Sequence, residues 1–219
     1  MPLVYEPYAE QVKVWPKDGR HILAQHDDES VVVYQAYNPA IGKYAVEHGR
    51  FGGDFSFARM CWIKPNFLWM MYRSGWSTKE NQEVTLALRV RRSAFDSLLR
   101  EAVPSTWDRN LYIASEEWSR AVGRSSVRLQ WDPDHHPSGA KLDRRAIQLG
   151  LRGDVLEAFA AIELLEVIDL TAFVAEQREV LASYGVSALL MPRERVYVPA
   201  DTEIATCLRL ASAAHGTNQ

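Results

Sequence analysis

Arg59, Lys64, Arg73 and Lys79 are threaded through RMCWIKPNFLWMMYRSGWSTK, the stretch Arg59–Lys79, which also carries three of the chain's seven tryptophans. Cations interleaved with aromatic rings suit a nucleotide, because phosphates need positive charge and a base or nicotinamide needs a flat apolar face. Arg73 closes an apolar run and is followed by Ser74 and Gly75. A guanidinium there can clamp a phosphate or carboxylate, Tyr72 or Trp76 can supply a stacking face, and Gly75 lets a ligand approach the backbone. The same residues also fit a plainer role, with Arg73 paired to an internal carboxylate and the rings packed as core. Trp62, Trp69 and Trp76 recur at heptad spacing and would align on a continuous helix, but Pro65 argues against continuity.

Three further groups could carry chemistry. Gln35 and Tyr37 end a predicted strand on one face, and the helix expected to start at Asn38 and Pro39 offers free amides beside them. They could equally satisfy local backbone groups. In RRAIQLGLRG, alternation puts Gln148, Gly150 and Arg152 on one face, with Arg145 nearby; this either completes an anion pocket or is an edge strand kept soluble by its arginines. In WDPDHHPSG, Asp132, Asp134, His135 and His136 invite a metal reading, but adjacent histidines diverge and no distant third ligand stands out, so a solvated turn and no metal are expected. Nucleophile-elbow, Walker, dinucleotide-fingerprint and zincin motifs are absent from the sequence.

The elements that must position these groups read as follows. A hairpin is expected from His21–Ala24 and Ser30–Tyr37 around a polar turn. Asn38, Pro39 and Gly49 bracket a helix from cap to stop. An apolar helix from about Pro65 to Gly75 should be buried, Glu83–Val90 should be a half-buried strand, and Ser93 should open an amphipathic helix stopped by Pro104. Further along come a helix at Ser115–Val122, strands at Val127–Trp131 and Arg145–Leu151 around a loop at Asp132–Lys141, a helix at Asp154–Ala160, a strand at Leu164–Ile168 and a helix ended by Gly185. The elements lack regular β-α-β alternation, which predicts an α+β single domain spanning residues 1–219, with a largely antiparallel sheet and flanking helices.

Bulk properties narrow the function classes. With 25 Lys and Arg against 28 Asp and Glu, the net charge of -3 is unlike that of a general nucleic-acid binder, so any polyanion site must be local. Cys61 and Cys207 are the only cysteines, too few for a disulfide framework. A reduced cytoplasmic setting without membrane insertion is expected.

VYQAY at Val33–Tyr37, the Arg59–Lys79 stretch, QWDPDHH at Gln130–His136 and AIQLGLRG at Ala146–Gly153 resemble an uncharacterised bacterial and fungal family, domain of unknown function 4291. Cys61 and Asn66 stand where that family usually has Thr and Ser. The resemblance implies where a site lies rather than what it does, and it points to Gln35, Tyr37, Arg59, Lys64, Tyr72 and Arg73.

The order of elements is also similar to that of ADP-ribosyltransferases, in which a His or Arg, an aromatic ring and a Glu commonly surround NAD. By that similarity Gln35 takes the first position although it is neither His nor Arg, Tyr72 stacks on nicotinamide, Arg73 binds the pyrophosphate and Glu83 is the acid, with Gln148 a neutral alternative. The expected catalytic residues are then Gln35, Tyr72 and Glu83. The expected NAD-binding residues are Tyr37, Arg59, Lys64, Trp69, Arg73, Ser74, Gln148 and Arg152. The competing expectation is a non-enzymatic module for RNA or single-stranded nucleic acid, with the cations following phosphates and the tryptophans stacking bases. A scaffold for a protein partner is a third.

Overall fold

The unbroken apolar run of Val31–Tyr34 can be a strand only if both of its faces are covered, and the computed structural model, which describes residues 2–211, covers both. Along the chain, β1 (Tyr5–Pro7) and α1 (Tyr8–Gln11) precede β2 (Leu23–Ala24), β3 (Ser30–Tyr37) and α2 (Pro39–His48). Next come β4 (Cys61–Ile63), α3 (Phe67–Ser74), β5 (Val84–Arg91), α4 (Arg92–Glu101), β6 (Val103–Pro104) and α5 (Ser115–Arg124). The second half holds β7 (Val127–His135), β8 (Lys141–Leu151), α6 (Gly153–Ala161), β9 (Leu164–Asp169) and α7 (Thr171–Tyr184). The described chain closes with β10 (Leu190–Pro192), β11 (Arg195–Val196) and α8 (Thr202–Cys207).

Two sheets dominate, one of order β3-β5-β9 and one of order β4-β8-β7-β6, and their pairs are antiparallel except β6 with β7. They touch where Tyr34 and Lys64 exchange backbone hydrogen bonds of 2.7 and 3.2 Å. Val31, Val33, Leu86 and Leu88 pack with Leu129, Ile147 and Leu149 of the second sheet and with Phe95 and Phe159. Val32, Tyr34 and Ala87 on the opposite face meet Phe67, Leu68 and Met71 of α3 and Val174 of α7. The first sheet is thus a middle layer in a mixed α/β, mostly antiparallel single domain. Among the described residues no helix is long and apolar enough to cross a membrane.

Local signals explain α2 and α3. Asn38 caps α2 by accepting from Ile41 N at 3.0 Å and Gly49 ends it at φ 65°. Asn66 caps α3 by accepting from Trp69 N at 2.7 Å, and Gly75 ends it at φ 59°, a left-handed conformation suited to glycine.

Three expectations are corrected. β2 pairs with β11 rather than forming the hairpin with β3, although His26 still bridges Val31. β5 is buried on both faces, Thr85 and Ala87 included, because α3 and α7 cover the side expected to meet water. The loop expected at Asp132–Lys141 is mostly hairpin, since β7 runs on to His135 and a register shift at Pro133 absorbs the residue that cannot donate to the ladder. As Pro65 implied, Trp62, Trp69 and Trp76 do not align on one helix: Trp62 is on β4, Trp69 on α3, and Trp76 lies past the end of α3 at φ 57°.

Candidate functional site

Where the two sheets part, a cleft of about 840 Å³ opens, with Gln35, Tyr37, Arg59, Lys64, Arg73 and Gln148 in its wall. The end of β3 brings Gln35 and Tyr37, β4 and its flanks bring Arg59 and Lys64, α3 brings Arg73, and β8 brings Gln148. The start of α2 contributes Asn38 and Ile41, and the segment before β4 contributes Asp54, Phe55 and Ser56.

Alternation along β4 divides the cleft. Cys61 and Ile63 join the core beneath β3, and Trp62 with Lys64 points to the opposite face, where β8 presents Gly150 opposite Trp62. Gly150 lets these side chains pack close to the strand: a Cβ there would lie 2.7 Å from Met60 Sδ and 3.0 Å from the Trp62 ring.

On the β3 side, Gln35 Nε2 donates to Cys61 Sγ at 2.6 Å and to the Trp62 carbonyl at 3.2 Å, and Tyr37 OH meets the same sulfur at 3.0 Å. Gln35 Oε1 is buried and takes no donor among the described residues. Burial pushes the Cys61 thiol up, against the opposing pull of Tyr37, Gln35 and Lys64, and burial holds Tyr37 well above the ordinary phenol range. Both groups therefore stay protonated and neutral near pH 7.

Lys64 is 5% exposed, and its ammonium donates to the Trp62 carbonyl at 3.5 Å. Burial first and then Arg73 bring its amine down to about 8, while Cys61 and Asp132 pull the other way. Arg73 is exposed to the cleft rather than buried, and its Nη1 donates only to the neutral Gln82 Oε1 at 3.3 Å. The expectation that the helix from about Pro65 to Gly75 is buried is corrected at this edge, since α3 turns Tyr72 and Arg73 outward.

Five other expected site residues lie outside the cleft wall. Tyr72, expected to stack on a ligand, stacks on His135 with centroids 3.6 Å apart, and Trp69 lies parallel to the same imidazole at 5.2 Å. Ser74 is buried and accepts from Ser77 N at 3.2 Å, pinning the turn after α3. Glu83 accepts from Asn81 N at 2.9 Å, behind the Asn81–Gln82 rim. Arg152 donates to the carbonyls of Ser125 and Gly123, just before the start of β7. The Asp132–His136 residues divide their attention: Asp134 pairs with Arg144 at 2.6 Å, His136 Nδ1 meets Ser138 Oγ at 2.8 Å, and His135 sits in the aromatic stack.

No local signal marks the group that secures the start of α3. Glu194 is fully buried; its Oε1 accepts from Phe67 N at 2.6 Å and its Oε2 from Asn66 Nδ2 at 3.3 Å. Burial pushes its carboxyl well above the ordinary range, with the Phe67 amide opposing. Gln11 Oε1 accepts from Glu194 N at 2.8 Å.

Fold and cleft together define a mixed α/β protein with a cation-lined site between two sheets. The chain belongs to the family described as Domain of unknown function (DUF4291), whose profile matches residues 21–197. No curated protein matches the chain at a significant level.

Proposed function

We propose that the cleft binds a nucleotide, NAD in the first instance, and that the chain is a transferase organised like the ADP-ribosyltransferases. The observation that carries the reading is that Arg59, Lys64 and Arg73 line one cleft while none of them has a carboxylate partner within salt-bridge distance among the described residues. Such walls focus the field of their charges, so a pyrophosphate gains more there than at scattered surface arginines. The planar forks of Arg59 and Arg73 suit phosphate oxygens, and Lys64 supplies a point charge. Trp62 and Phe55 offer flat faces for a ring in place of Tyr72. The volume is of the size that small-molecule cofactors occupy.

For transfer, the bond between nicotinamide nitrogen and ribose C1′ breaks with its electron pair leaving on nicotinamide, and an acceptor O–H or N–H bonds to C1′ and releases its proton. Asp54 is the carboxyl in the cleft wall available to that chemistry, with Glu83 behind the rim.

Thermal melting with NAD, ATP and a short RNA, at low and high salt, tests the reading. NAD at about 100 times its dissociation constant adds roughly 2.7 kcal/mol, a rise of about 5 to 11 °C for a chain of this size, with little salt dependence. Nicotinamide release is then assayed. A shift with RNA alone that collapses at high salt would sink the proposal and leave a nucleic-acid module in its place.

A further inference from the structure

On the outer face of the β7-β8 hairpin, Gln130 stands opposite Gln148 in the ladder, with Asp132 two residues along β7. Gln130 Nε2 donates to Asp132 Oδ1 at 2.8 Å, and Gln148 Nε2 donates to Asp132 Oδ2 at 2.8 Å. Carboxylate oxygens only accept, so this clamp fixes the orientation of both amides. Each amide nitrogen is turned to Asp132 and each carbonyl oxygen is turned away from it. Both glutamines line the cleft, and neither carbonyl oxygen receives a donor among the described residues.

Lys64 shares this neighbourhood, close enough for Asp132 to act on its charge. The cleft therefore sets cations for phosphate beside a pair of fixed acceptors. Acceptors oriented in advance read donors.

We propose that Gln130 and Gln148, held by Asp132, are a specificity pair that accepts N–H groups from the ligand, and that the ligand is a nucleotide bearing an exocyclic amine or a primary carboxamide. This rests on the nucleotide reading of the cleft. Asp132 is a positioning residue, acting through the two amides. A ligand carrying an oxo or carboxylate oxygen in place of the amino group would set acceptor against acceptor, which polar sites reject strongly.

Isothermal titration of the full chain at fixed salt tests this, using NAD, nicotinic acid adenine dinucleotide, nicotinamide hypoxanthine dinucleotide, ATP and ITP. At least one of the two analogues is expected to bind about 10 to 100 times more weakly than NAD. The analogue that loses affinity says whether the carboxamide or the adenine amine is read. Asp132→Asn frees the amides to turn over and should reduce that discrimination to within about threefold while NAD affinity falls less. Gln148→Leu, which leaves Asp132 in place, should do the same by removing one acceptor, and serves if Asp132→Asn fails to fold.

If NAD and both analogues bind equally, the specificity pair is wrong and the NAD reading stands. If NAD does not bind but ATP binds more tightly than ITP, the NAD reading falls and the pair stands. Unchanged discrimination in both variants overturns the pair, and no binding by any of the probes overturns both ideas.

Discussion

Arg144 is buried, 2.6 Å from Asp134, with its Nη1 on the Pro16 carbonyl and its guanidinium 5.1 Å from the centroid of the Trp15 ring. Arg73 faces the cleft and meets only Gln82, and Lys64 is as buried as Arg144 yet its ammonium meets only a backbone carbonyl. The same charge therefore does two jobs. A cation with its carboxylate built in, as at Arg144, holds elements together; a cation buried or gathered in a cleft without one is, on the function proposed above, the one that meets an anion from outside. Lys64 shows the cost of that readiness, because an uncompensated buried ammonium is disfavoured and its proton affinity drops.

Mutation can break this contrast. Arg144→Ala leaves the buried Asp134 carboxylate without its cation, with only the His135 amide among the described residues still donating to it, and should cost about 3 to 5 kcal/mol in urea unfolding. A loss below about 1 kcal/mol would mean the pair is not structural. Glu194→Leu deprives Phe67 N and Asn66 Nδ2 of their acceptor and should cost about 2 to 4 kcal/mol. Because the Glu194 carboxyl is raised in the folded chain, the stability it contributes is full at acid pH and lost as pH climbs through its raised value. Glu194→Gln should flatten that slope.

Lys64→Met should act in the opposite direction, raising stability by about 1 to 3 kcal/mol at pH 7 while weakening nucleotide binding at least tenfold. The sign follows from the lowered amine. Between about 8 and the ordinary 10.5 the unfolded chain binds the extra proton, so the native chain gains stability across that window and Lys64→Met does not. Affinity for an anionic ligand should fall as pH rises past about 8. A Lys64→Met protein less stable than the parent would show that the ammonium has a partner after all. Arg73→Ala should have the smallest effect on folding, within about 0.5 kcal/mol, while nucleotide affinity falls severely. A large loss of stability with unchanged affinity would move Arg73 to the structural side of the comparison.

Readability from sequence followed the range of the interactions. The cap, first-turn proline and terminal glycine of α2 lie within one short segment, and the helix is found where they say. β4 is only Cys61–Ile63 and has no period to detect, so its pairing with β8 leaves no trace in the sequence. The covered faces of β5 could not be seen because the helices that cover them lie elsewhere in the chain. Residue type, strand alternation and the family resemblance together brought forward Gln35, Tyr37, Arg59, Lys64, Arg73 and Gln148 as candidates, and they share one cleft. Tyr72 shows the opposite outcome: whether its ring is open depends on His135, which the turn signals of WDPDHHPSG had put in a loop.

The Glu194 cap on α3 has a bearing on how the protein is made. Asn66 and its acceptor are 128 residues apart, and the strand pairs that bracket the cleft are themselves distant in sequence. A nascent chain has the cations of the cleft early, but the first turn of α3 lacks its buried partner until residue 194 has left the ribosome. Long-range closures of this kind are late and slow. The cleft is therefore completed only once a segment 128 residues downstream of Asn66 has emerged, and a chain stopped short of Glu194 would carry all three cations of the cleft without the capped start of α3, the helix that bears one of them.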